Sequence, residues 1–177
     1  MHSVISAQLG RIVYAHLEPG EDVLLGIQEV IEQEDLGTGI ILAITGAVSR
    51  GRLSLPVKAD AVEASPGFIE FEGLSEVQGG GYFGRNIDSW SNETSQIRFE
   101  AGRPHIHCHM AVNNAGTTYL GHLLEGCKVR SVHPQSHFVL VLAEAVGVDL
   151  TLHCSDETTE AYPNGIPFYN VAALARV

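Results

Sequence analysis

Apolar and polar positions change period several times along the chain, and each change marks an expected element. Residues 10–17 (GRIVYAHL) carry strand composition and end at the turn-forming Glu18-Pro19-Gly20. Val23, Leu24, Ile27, Val30 and Ile31 then recur on one face at helical spacing, with Gly37 as a stop signal. The near-continuous apolar run Ile40 to Val48 suits a strand buried on both faces, and Ser49-Arg50-Gly51 reads as a turn after it. Leu53 to Val57 and Phe68 to Phe71 follow as strands, and Gly79-Gly80-Gly81 reads as a plain loop. No Lys-Ser/Thr follows the three glycines, so they do not form a phosphate loop.

The second half carries four more β-type segments, at 103–112, 117–123, 137–146 and 148–153. The tail around Tyr162 to Tyr169 has two prolines and three aromatics and is expected to be an irregular cover. One early helix followed by many strands leaves little room for regular βαβ alternation. The expected class is α+β, one domain over 1–177 with a largely antiparallel sheet.

Composition narrows the functional classes. Ten Lys+Arg against 21 Asp+Glu give a formal charge of −11, a field that repels a phosphate backbone and disfavours direct nucleic-acid binding. No run of eighteen apolar residues and no export signal is present, so the chain is expected to be cytoplasmic, away from any membrane. Cys108, Cys127 and Cys154 are spaced as reduced, buried thiols rather than as a disulfide framework.

The candidate chemistry lies in the histidines. His105, His107, His109 and His122 crowd eighteen residues. On a strand, positions 105, 107 and 109 share one face, while Ile106, Cys108 and Met110 share the other. A four-residue loop Asn113-Asn114-Ala115-Gly116 would put Val112 opposite Thr117 and so His107 opposite His122. His105, His107 and His122 then form the expected ligand set for one metal ion. Zinc suits neutral imidazoles best, with other divalent transition metals behind it. His109 lies about 13 Å along the strand from His105 and is placed outside this set, either facing water or carrying protons. Three protein ligands leave a coordination position open, as in catalytic sites, and Glu125 is the candidate base. The same glutamate also reads as an ordinary surface residue, so catalysis stays open.

Pro104-His105-Ile106-His107 together with Gly121-His122-Leu123-Leu124-Glu125-Gly126 resembles the paired P-H-x-H and G-G-H-L-x-x-G signature of the PPC (plants and prokaryotes conserved) domain. Leu17-Glu18-Pro19-Gly20-Glu21-Asp22, the segment Gly39 to Ser49 and Gly67-Phe68-Ile69-Glu70 extend the resemblance over about residues 10–156, leaving 157–177 as the tail. It implies a mostly antiparallel sheet with flanking helices, a homotrimer, and zinc on His105, His107 and His122. A metal-binding module with a regulatory or small-molecule role is the leading reading. A metal-dependent hydrolase or lyase and a DNA-binding regulator are the alternatives, since bacterial members are often described as DNA-binding. Gly102-Arg103-Pro104 echoes the DNA-contacting hook of plant members but lacks its basic flank. Leu120 in place of the first glycine, His109 in place of a small polar residue and His153 near a usual arginine depart from the family pattern.

Overall fold

The computed structural model describes residues 4–56, 66–92, 97–130, 137–153 and 170–175. In chain order the elements are β1 (Gln8–Leu17), α1 (Val23–Gln33), β2 (Gly39–Pro56), β3 (Pro66–Asn86), β4 (Trp90–Asn92), β5 (Ile97–Phe99), β6 (Pro104–Asn114), β7 (Thr117–Leu123), β8 (Lys128–Val129), β9 (Phe138–Val146), β10 (Asp149–His153) and β11 (Asn170–Ala175). Nine strands form one sheet in the order β1-β9-β2-β7-β6-β3-β10-β11, with β8 paired to β2, and β4-β5 form a separate hairpin. The sheet is antiparallel except where β10 runs parallel to β3. The expected α+β sheet with flanking helices is therefore corrected to a mixed, mainly antiparallel sheet with one helix among the described residues.

Two long strands organise the molecule. Gly39 to Pro56 pairs along its length with Pro66 to Phe83, and no turn interrupts it at Ser49-Arg50-Gly51. The register slips there between Val48 and Arg50, a bulge that bends the strand without ending it. Pairing also runs from β3 to β6, from β6 to β7, and from β7 back to β2 through Leu53–Leu123 and Ser54–His122, which closes a circuit of four strands.

The Gly79-Gly80-Gly81 segment lies inside β3, not in a loop. A Cβ on Gly81 would run into the carbonyl of His107, and one on Gly79 into that of His109. Gly79 and Gly81 let β3 lie close against β6, and a Cβ on Gly80 would meet the Ile41 carbonyl of β2 at 3.0 Å, constraints set by strands distant in sequence and silent in the local pattern.

The helix is where periodicity places it, and Val23, Ile27 and Ile31 are buried against the sheet beside Phe83, Leu140 and Leu142. Asp22 begins it, accepting from the amides of Leu24 (3.1 Å) and Leu25 (3.3 Å). Its other oxygen accepts from the Gly126 amide at 2.8 Å and faces Lys128 Nζ at 3.4 Å, so one buried carboxylate ties the helix to the segment after β7. The expected tail around residues 162–169 and Cys154 lie outside the described residues, as does Val57. Cys108 and Cys127 are buried free thiols. Burial pushes Cys108 up to about 12 and Cys127 up to about 11, which makes both inert.

Candidate metal centre

The hairpin between β6 and β7 is tighter than a four-residue loop. Ala115 (φ 49°) and Gly116 (φ 87°) both adopt left-handed backbone, the requirement of a two-residue primed turn. Asn114 therefore pairs with Thr117 and belongs to the strand, its side chain donating to the Glu72 carbonyl and to Ser75 Oγ. The register moves by two residues, and the residue opposite His122 is His109, not His107. A shift of two keeps every side chain on its expected face, so the histidine face survives while its pairs change.

The structure brings His107, His109 and His122 together, with one nitrogen from each lying within 4.8 Å of the others. Ring centroids are 4.9 Å apart for His107 and His122, 5.5 Å for His109 and His122, and 5.2 Å for His107 and His109. His109 is exposed, while His107 and His122 are half-buried. Three donors on a tetrahedral zinc at about 2.0–2.1 Å stand about 3.4 Å from one another, so small side-chain rotations would seat an ion here. His105 lies outside this group. It is buried under Phe99, with ring centroids 5.7 Å apart, at the other end of the same strand face.

Electrostatics favour the metal-ready form of these rings. Burial, and then the charge of neighbouring histidines, lowers His122 to about 3. The same two causes lower His105 to about 4, and they also lower His107. Neutral imidazole is the form that donates to a metal. Tyr82, directly across β3–β6 from His107, stacks on its ring at 4.8 Å with planes 2° apart and braces it. Sequence reasoning missed Tyr82 because its pairing with His107 is long-range and leaves no spacing signal.

A cavity of about 430 Å³ adjoins the cluster. Its lining includes His122, Glu125, Arg52, Arg98, Gln28 of α1 and Phe99. Glu125, singled out as a candidate base, therefore shares a cavity wall with one of the clustered histidines, and it is exposed. Among the described residues no helix is long and apolar enough to cross a membrane.

No curated protein shows significant sequence similarity to the chain. Among solved structures, a metal-containing protein from Archaeoglobus fulgidus superposes with a TM-score of 0.67 at 18% identity, covering 89% of this chain and 95% of the other. A plant- and prokaryote-conserved protein from Pyrococcus horikoshii gives 0.64 at 19% identity, covering 88% and 92%. A candidate DNA-binding protein from Bacteroides thetaiotaomicron gives 0.58 at 13% identity, covering 94% and 99%. At these identities the likeness is one of fold. The sequence itself matches the Plants and Prokaryotes Conserved (PCC) domain over residues 4–135. With a fold shared by such proteins and three-quarters of its length matched to their domain, the chain belongs to the Plants and Prokaryotes Conserved domain family.

Proposed function

We propose that this protein is a metal-binding homotrimer with a regulatory or small-molecule role, and that His107, His109 and His122 hold one divalent transition-metal ion, zinc by preference. The observation that carries the reading is the convergence of three imidazole nitrogens within 4.8 Å, with burial and neighbouring histidines favouring the neutral form of His107 and His122. The metal-containing relative of similar fold supports it. The family signature selects His105 in place of His109; the short distances favour His109. When bound, the ion would supply Lewis acidity at a partly open position.

Elemental analysis of zinc-equilibrated, dialysed protein tests this. Wild type and His105→Ala are expected to retain about one ion per chain. His107→Ala, His109→Ala and His122→Ala are expected to lose affinity by more than the roughly 10- to 100-fold that removal of an outer-shell partner costs. Retention by His109→Ala with loss in His105→Ala would assign the site to His105, His107 and His122 instead. A wild type that carries no ion would remove the reading altogether.

A second reading, a metal-dependent hydrolase or lyase, is favoured by one observation: Glu125 and His122 line the same cavity. Loss of turnover in Glu125→Gln with metal content unchanged would support it. Direct DNA binding is not favoured, because a chain with a formal charge of −11 offers a duplex a repulsive field.

A further inference from the structure

We propose that the cavity beside the histidine cluster binds a small amphipathic oxyanion, a carboxylate or phosphate ester carrying an apolar body. Acids outnumber bases 21 to 10 in this chain, yet among the described residues the cavity lining holds two arginines, Arg52 and Arg98, against the single acid Glu125. A basic cavity in an acidic protein concentrates anions locally while the outer surface repels them.

The two arginines have different standing. Arg52 on β2 is already held: its guanidinium carbon lies 4.5 Å above the Phe68 ring and its Nε is 3.5 Å from Glu70 Oε1. A guanidinium fixed by stacking and an ion pair loses little further freedom when a ligand arrives. Arg98 on β5 is exposed and able to close on a head group. Beside Gln28 and Glu125, the wall has an apolar part made of Leu24 from α1, Phe99 beside Arg98, Ile106 from β6 and Leu124 after β7. A volume of about 430 Å³ whose wall is shared between polar groups and apolar side chains fits a small organic acid, with a charged head and an apolar body, better than a bare inorganic anion. His122 also lines the cavity, so the site adjoins the proposed metal centre, but neither arginine depends on an ion being present.

The chain's one tryptophan supplies the readout. Trp90 lies 6.0 Å from Phe99, ring centroid to ring centroid, so a molecule entering beside Phe99 changes its surroundings. The full-length protein, both chelator-stripped and zinc-equilibrated, is titrated with phenylacetate, phenyl phosphate and the uncharged phenylacetamide, following Trp90 emission and heat of binding. At least one of the two anions is expected to bind tenfold or more tightly than the amide in the stripped protein, and the tighter of the two identifies the head group. Arg98→Gln, at an exposed position, is expected to cost tenfold or more for the anion and little for the amide. Equal affinity for anion and amide, unchanged affinity in Arg98→Gln, or no saturable binding of any of the three would overturn the proposal. His109→Ala separates this site from the metal centre: anion binding by that variant's stripped form, beside its measured zinc content, lets each reading fail alone.

Discussion

His105 and His122 show how much a single imidazole can report about its surroundings. Burial lowers His105 to about 4 and His122 to about 3, below the usual value of about 6.5 that each regains on unfolding. Between those values the unfolded chain binds more protons than the folded one, so stability rises with pH across that window. The contribution is complete above about pH 6.5 and is lost as pH falls through 4 and towards 3, at no more than about 1.4 kcal/mol per pH unit for each ring. Urea midpoints of the chelator-stripped protein at pH 7.5, 6 and 5 should therefore fall faster for wild type than for His105→Phe, which keeps a ring against Phe99 but cannot protonate. Parallel slopes would show that His105 is not desolvated as the structure has it. At this scale the sequence was largely legible: alternation alone puts 105, 107 and 109 on one face and Ile106, Cys108 and Met110 in the core. Which histidine meets His122 was not legible, because it depends on Ala115 accepting a left-handed backbone that its side chain gives no reason to expect.

At the scale of elements, Asp22 joins two pieces that the chain separates by a hundred residues. It caps α1 and accepts from Gly126, a residue that lines the cavity, so helix start and cavity rim share one carboxylate. Asp22→Ala should cost about 1–3 kcal/mol in chemical denaturation, since it strips the cap and leaves the Gly126 amide short of an acceptor. Asp22→Asn should cost less, because an amide oxygen still caps. Equal losses would assign the effect to the second carboxylate oxygen, which meets Gly126 and Lys128, rather than to the cap. The helix was readable from its own residues, since both its periodicity and its capping are local. The long strands were not. Ser49-Arg50-Gly51 and Gly79-Gly80-Gly81 have turn composition, yet they are held extended by partners on both sides, β3 and β8 for the first, β2 and β6 for the second. A local pattern cannot report a glycine whose purpose is to let a distant backbone come near.

For the whole molecule, cross-strand pairing places the histidines and an uncovered apolar surface on the same side of the sheet. Ile12 faces Ala143, Ala143 faces Ile40, Ile40 faces Tyr82 and Tyr82 faces His107, and directly paired residues share a face. Along that row Ile12 is 48% and Ile40 41% exposed, and the neighbouring Tyr14 is 75% exposed. An apolar strip of this kind marks a surface that another surface covers. The proposed trimer, if built on this face, would exclude water from the approach to His107. Sedimentation should then give wild type at three times the 19.0 kDa of the chain. Ile40→Lys, which buries a charge in that contact, should shift it to the monomer with the fold intact by circular dichroism. A wild type that sediments as a monomer would end the trimer reading, and an Ile40→Lys protein that stays trimeric would move the interface to another face of the sheet.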